Sequence, residues 1–367
     1  MVSLAVALAC MLGWPQASHA QTPVTCGETL SGTGVLSGSC TGTITITKGT
    51  LQLGGFTLSG AGLAAVDCQG SCRVEGPGSI ESLGSQFGIL GASRVRVENV
   101  SISGHGTAGI KTGTFGGCRV EDSTITGNGT GIESTRIKVS NSSVDDNTGT
   151  GIVSVSRGVK LGDGTSVSGN GRHGIRTDIS AEDANRAVFS DCFVDGNGEF
   201  GVIAKNVKAK RTTFNANGLG GVSADLSSPT PNRAQLTDCE VNLNGETGVS
   251  GKTVKLKRTT VAFNVKDGVS TEISEEDKNL AQISACTIAF NGEFGVIAKS
   301  IKYSASTIRA NGLDAACGVT VPCVDLASVE MPSFGGGSLC DTSLQLPPVF
   351  PPPPPFGASW AICLDDF

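Results

Sequence analysis

An asparagine-glycine pair, followed at fixed offsets by a second glycine and an aliphatic residue, recurs through the second half of this chain. That recurrence restricts the fold more than any other feature. Asn170-Gly171 leads to Gly174-Ile175, Asn197-Gly198 to Gly201-Val202, Asn217-Gly218 to Gly221-Val222, Asn244-Gly245 to Gly248-Val249 and Asn291-Gly292 to Gly295-Val296. With Gly268-Val269, which follow Asn264, counted in, the aliphatic positions fall 27, 20, 27, 20 and 27 apart, so two coils form a 47-residue unit. Residues 197–205 return letter for letter at 291–299, two units later. Self-similarity at this period is the signature of a solenoid, in which each repeat buries its apolar face only against its neighbours.

Counting back from each asparagine gives a cross-section. Position −3 is apolar throughout: Ile125, Val144, Val167, Val194, Phe214, Val241, Val261, Ile288 and Ile308. Position −5 is small (Ser123, Ser142, Thr165, Cys192, Thr212, Cys239, Thr259, Cys286, Ser306) and shares the side of −3, because strand side chains alternate. Position −4 faces the other way and is mostly Thr or Ser. Three short strands per turn of about 20 residues, with like stacked on like, describe a parallel β-helix whose inward faces are buried against its own core. The asparagines form a corner ladder with one amide per coil, about 4.8 Å apart. The pattern assigns left-handed backbone to the asparagine and the glycine after it, and a tight turn to the second glycine. Cys192, Cys239 and Cys286 lie two coils apart, too far to bridge, and read as buried thiols. Upstream, Val66, Ile89, Ile110, Ile132 and Ile152 continue the coil with looser spacing, for about twelve coils in all.

The ends differ from the repeat. Residues 1–20 contain no charged side chain, run apolar from Val2 to Leu12 and finish Ser18-His19-Ala20, the pattern of a secretory signal peptide. The expected organisation is a signal peptide at 1–20, an N-terminal cap and first turn at 21–62, the β-helix at 63–320, and a C-terminal capping segment at 321–367. The last carries a strap of Pro347, Pro348 and Pro351 to Pro355. Secretion or the cell envelope permits disulfides, and the expected pairs are Cys26 with Cys40, Cys68 with Cys72, Cys317 with Cys323, and Cys340 with Cys363. With 27 basic against 33 acidic residues the chain is mildly acidic, which argues against nucleic acid as its partner. No other stretch is apolar enough to span a bilayer, no cofactor motif is present, and the chain reads as a monomer.

The lead-in Thr25-Cys26-Gly27, the Cys40 after it, and the run from Leu51 to Gly60 resemble the N-terminal cap and first turn of the secreted right-handed parallel β-helix repeat proteins of bacteria, in the pectate-lyase-like superfamily. Asp325-Leu326-Ala327, Ser338-Leu339-Cys340 and Trp360-Ala361-Ile362-Cys363 resemble that group's closing segment. The resemblance implies the right-handed parallel β-helix. It leaves function open, because the architecture carries lyases, hydrolases, epimerases and adhesins alike.

Candidate sites are few. Polygalacturonases carry Gly-His-Gly and Arg-Ile-Lys, matched here by Gly104-His105-Gly106 and Arg136-Ile137-Lys138, but no aspartate pair precedes the histidine, and His105 sits in the asparagine register. A lyase needs clustered carboxylates for calcium. Asp178, Asp225 and Glu272, like Glu199, Glu246 and Glu293, stand two coils apart, too wide to share one ion, and read as solvated repeat positions with no metal. Lys138, Lys160, Lys208, Lys255 and Lys302 form an outward column, with Gln235 and Gln282 between the last three. That column suits a linear acidic polysaccharide and equally suits a surface that spaces its like charges. Exposed rings for sugar stacking reduce to Phe193, Phe200 and Phe294. The extra residues of the long coils, 180–186, 227–233 and 274–280, project as three loops at 47-residue intervals and are the expected seat of any binding function. The binding candidates are therefore Lys208, Lys255, Lys302, Asp178, Asp225 and Glu272. The expected function is a non-catalytic, polysaccharide-binding or structural β-helix; the alternative is a carbohydrate-active enzyme, a lyase before a hydrolase.

Overall fold

The computed structural model describes residues 22–177, 186–224, 232–271 and 279–312. They form a parallel β-solenoid of about eleven turns with no helix among them. Each turn contributes strands to three faces. One face takes the strand after the glycine-aliphatic pair, as in Thr130–Ser134, Val202–Ala204 and Val222–Ala224. The second stacks Cys72–Glu75, Val95–Glu98, Gly117–Glu121 and Arg136–Ser140, and continues to Ser300–Ser304. The third takes the short strand before the asparagine, such as Thr124–Thr126 and Thr260–Ala262. Every pairing is parallel and joins residues at the same repeat position, as in Val254↔Ala281↔Ile301. One continuous core fills the interior, and its −3 column from Ile125 to Ile288 is fully buried.

The asparagine ladder is present and continuous. Asn217 shows one rung: its Oδ1 accepts the backbone N–H of Asn197 at 3.1 Å and the Asn197 amide at 2.9 Å. Its own Nδ2 donates to Asn244 Oδ1 at 3.0 Å and to the Val194 carbonyl at 3.1 Å. The pattern repeats without a gap from Asn128 to Asn311, each asparagine 2% exposed or less. His105 extends it by one rung. Its N–H donates to Asn128 Oδ1, and its ring reaches Ser85 Oγ at 2.9 Å.

The backbone roles of the repeat differ from the expectation. The left-handed residue is the one before the asparagine (Gly127, Asp146, Gly169, Gly196, Ala216, Leu243, Phe263, Phe290, Ala310), not the asparagine or the glycine after it. The conserved-in-register glycines answer instead to stacking distance. A Cβ on Gly245 would stand 2.1 Å from the Gly218 carbonyl oxygen, and one on Gly201 would stand 2.6 Å from the Gly221 oxygen and 2.9 Å from the Asn217 amide nitrogen. The first glycine lets adjacent coils touch, and the second makes room for the next asparagine.

Cys26–Cys40 and Cys68–Cys72 are disulfides, with Cα separations of 5.8 and 5.9 Å. The other expected pairs, Cys317 with Cys323 and Cys340 with Cys363, the proline strap and residues 1–20 lie outside the described residues. Cys118, Cys192, Cys239 and Cys286 are buried free thiols. The last three are more than small apolar filler. Each Sγ donates to the carbonyl two residues earlier (Ser190, Thr237, Ser284), the same bond that Thr212 and Thr259 make in the coils between. Burial pushes Cys118 and Cys192 up to about 12 and Cys239 to about 11, and raises Cys286 as well.

Two outcomes follow. Asn217→Ala strands the Asn197 backbone N–H and the Val194 carbonyl inside the wall, and each buried orphan costs about 1–3 kcal/mol. Urea denaturation should therefore show a loss of about 3 kcal/mol or more. A thiol-specific reagent should leave all four free cysteines unlabelled in the native chain and modify them on unfolding; rapid native labelling of Cys192, Cys239 and Cys286 would contradict their inward register.

Candidate functional site

The second face carries a continuous outward column. Strand register places Thr50, Arg73, Arg96, Arg119, Lys138, Lys160, Val188, Lys208, Gln235, Lys255, Gln282 and Lys302 one above another. Along its first three coils the positive charge is answered in place, because each strand there reads Arg-Val-Glu. Arg73 lies 2.6 Å from Glu75 and 2.6 Å from Glu98 in the next coil, Arg96 lies 2.8 Å from Glu121, and Arg119 lies 2.5 Å from Glu121. Arg119 first, and then Arg96, hold the Glu121 carboxyl below its ordinary range.

After Glu121 the column of glutamates ends. The glutamate position becomes Ser140, Gly162, Ser190, Lys210, Thr237, Lys257, Ser284 and Ser304. The eight strands from Arg136–Ser140 to Ser300–Ser304 contain no acidic residue. They carry Arg136, Lys138, Lys160, Arg186, Lys208, Lys210, Arg233, Lys255, Lys257 and Lys302, every one exposed except the half-buried Lys255. At about 4.8 Å per coil this basic face is about 34 Å long. Among the described residues neither Lys208 nor Lys255 makes an ion pair. Lys208, Lys255 and Lys302 line one shallow groove of about 560 Å³ with Gln235, Gln282, Thr237 and Ser284. Among the described residues, two acids just past the strand ends are held by arginines, with Lys210 also within Coulombic reach of both. Asp191 and Asp238 sit at the corner beyond Ser190 and Thr237, and Arg211 and Arg258 grip them at 2.5 Å. Arg211, with help from Ser190, holds Asp191 down at about 2.

Of the binding candidates, the three lysines come together in this groove. Asp178, Asp225 and Glu272 lie outside the described residues, as do most residues of the three long-coil loops. Glu199 and Glu246 are not merely solvated: Glu199 pairs with Arg172 at 3.2 Å and with His173 Nε2 at 3.0 Å, and Glu246 with Lys266 at 2.7 Å. No group of three or more His, Cys, Asp or Glu side chains that could hold a metal occurs among the described residues. His105 is 1% exposed, burial lowers its proton affinity, and its Nε2 faces the Ile80 carbonyl at 3.4 Å. It braces the ladder from inside and cannot meet an external substrate, whereas Arg136-Ile137-Lys138 lies on the basic face.

The expected rings are redistributed. Phe193 is 51% exposed, but Phe200 and Phe294 are half-buried; the exposed, stacked pair is Phe263 with Phe290, ring centroids 5.1 Å apart. Tyr303 packs inward, its hydroxyl donating to the Ser306 carbonyl at 2.6 Å. The basic face itself thus presents no fully exposed ring, only the half-buried Tyr303 at the edge of the groove. Two of its signals were open to sequence reading and missed: the Arg-Val-Glu strands 23 residues apart, and the disappearance of acid after the third.

One buried carboxylate lies off this face. Asp267 is 8% exposed, and burial, reinforced by Glu293, pushes it up to about 6, although the Phe294 N–H donates to it at 3.2 Å. The folded chain holds that proton more tightly than the unfolded chain does. Its contribution is therefore fully present below the ordinary aspartate range and is lost as pH rises through about 6. Asp267→Asn should stabilise the protein by about 1–2 kcal/mol at pH 7–8, with partial screening included, and should have no effect near pH 3.5. Urea denaturation at both pH values checks this.

Residues 33–177 match the family model described as "Right handed beta helix region". Among solved structures the chain is similar to the A-module of the Azotobacter vinelandii mannuronan C-5 epimerase AlgE4, at 13% identity over 80% of this chain and 91% of that one, with a TM-score of 0.45. It is similar also to the AlgE6 A-module of the same organism, at 13% identity over 77% and 88%, with a TM-score of 0.43. Neither likeness bears on activity. No curated protein matches the chain in sequence.

Proposed function

We propose that this β-solenoid binds a linear acidic polysaccharide along its second face, outside the cell or at its envelope, without acting on it chemically. The reading rests on one observation: ten basic side chains and no acid on eight successive strands of one face, in a chain whose overall charge is −6. A net-acidic protein that gathers its cations on one face creates a local potential which its net charge conceals. The shape of the face favours an extended polymer over a compact anion, because the charges are spread along the coil axis. The absence of an exposed aromatic platform on this face argues against neutral sugars binding there, and against single-stranded nucleic acid, whose bases stack on exposed rings. Lys208 and Lys255 stand two coils apart, about 10 Å, close to the length of an extended disaccharide. Gln235 and Gln282 in the intervening coils supply amide donors and acceptors where a sugar would present hydroxyls. Two disulfides, and the absence among the described residues of any helix long and apolar enough to cross a membrane, are compatible with an extracellular setting.

The experiment is retention of the purified protein on immobilised polyuronates and sulfated glycans, with a neutral glucan as control, across a salt series. Affinity for the acidic polymers should fall steeply with salt, as multiple charge contacts require. The double variant Lys208→Glu/Lys255→Glu should bind about tenfold or more weakly near 0.15 M salt with its fold intact, each reversal costing on the order of 1 kcal/mol. Lack of retention on every acidic polymer at low salt would overturn the proposal, and release of unsaturated or epimerised products would replace it with the enzymatic alternative.

A further inference from the structure

The column before the ladder asparagines changes character near the end of the described coils. It reads Gly127, Asp146, Gly169, Gly196 and Ala216, and then Leu243, Phe263 and Phe290. All occupy the left-handed region, Leu243 at φ 60°, Phe263 at 57° and Phe290 at 59°, where bulky side chains are disfavoured. The three are also exposed, 62%, 53% and 47%, with Val265 beside them at 63%. The rings of Phe263 and Phe290 lie flat on one another, 6° from parallel. Three successive coils thus place large apolar groups on unfavourable backbone, facing outward, where five earlier coils use small or polar ones. An apolar surface of this kind indicates a partner.

We infer that the partner is the chain's own proline-rich segment, residues 347–355. Residues 313–367 follow Gly312, and Ala310 stacks directly after Phe290 in the same column, so the patch begins one coil back from where the described chain stops. Thirty-four residues, 313–346, separate Gly312 from Pro347, a chain length ample to bridge the roughly 10–15 Å of two or three coils. The sequence from 342 to 364 contains no Asp, Glu, Lys or Arg, so it has no attraction to the basic face and an apolar reason to find this one. Proline repeats favour the polyproline II helix, which docks on aromatic surfaces at low entropic cost and advances about 9 Å per three-residue turn. The distance from Leu243 to Phe290 is two coils, about 10 Å. One polyproline turn therefore matches the patch, and Val349, Phe350 and Phe356 flank the prolines to widen the contact.

The test installs the photo-cross-linker benzoylphenylalanine in place of Phe290 in the full-length chain. Irradiation followed by peptide mapping should give a link within one chain to residues 346–356. A link between two copies, a link to another segment, or no link would overturn the assignment. In parallel, a chain ending at residue 342 should bind the apolar dye 8-anilinonaphthalene-1-sulfonate several-fold more strongly than the full chain, with unchanged far-ultraviolet circular dichroism. Adding Phe263→Ser and Phe290→Ser to the shortened chain should abolish the gain, and equal dye binding by the two lengths would count against the inference. Should the shortened chain unfold, the cross-link in the full chain still decides.

Discussion

The distance between one coil and the next, held by the asparagine ladder, is the constraint on which the rest of this protein depends. Each rung satisfies a buried backbone N–H, a buried carbonyl and the amide of its neighbour, so no rung can be removed without orphaning a donor and an acceptor of the preceding coil. The two glycines of each repeat are consequences of that spacing. One brings backbone against backbone, and the other leaves a space that the next amide fills. Because the wall advances by a constant step, any side chain that repeats in sequence becomes a straight column on the surface, and a column of charge becomes a face.

The same geometry explains how the basic face can exist. A like-charged column at one-coil spacing would repel itself, and the chain handles this differently along its length. Over three coils it interleaves glutamates from the same strands, giving the staggered pairs from Arg73 to Glu121. Beyond them Lys138 and Lys160 stand on adjacent coils, Val188 follows, and from Lys208 to Lys302 the column alternates lysine with glutamine, with the neighbouring column uncharged or basic. The first arrangement is self-contained. From Lys208 to Lys302 the second places the charges of the column about a Debye length apart in physiological salt, tolerable alone and best neutralised by an external anion. Aspartates that could neutralise it internally, Asp191 and Asp238, are held at the corner by arginines from the following coil.

Much of this was legible in the residues. The period, the inward −3 and −5 columns, the ladder and the outward lysines follow from alternation and spacing, which a solenoid translates directly into position. Backbone angles did not follow: left-handed geometry was assigned to Asn197 and Gly198 because such residues tolerate it, whereas Gly196, Ala216, Leu243, Phe263 and Phe290 adopt it. Tolerance is a property of a residue, but the turn chooses by position. The Phe263–Phe290 stack was invisible for the same reason, since the direction of a corner side chain is set by φ and not by strand alternation. The Cys68–Cys72 bridge, only four residues apart, was expected from sequence and is formed. The three long-coil loops, the expected seat of a binding role, lie largely outside the described residues, and the proposed face rests instead on a residue type missing from the regular strands.

Lysine acetylation footprinting, with and without saturating acidic polysaccharide, tests the central claim most directly, because it reports which part of the surface a bound polymer covers. The account predicts protection of Lys138, Lys160, Lys208, Lys210, Lys255 and Lys257 together, with Lys48 and Lys266, which lie off the acid-free strands, labelled as in the free protein. Protection of Lys48 and Lys266 to the same degree, or none on the basic face while the polymer remains bound, would contradict it.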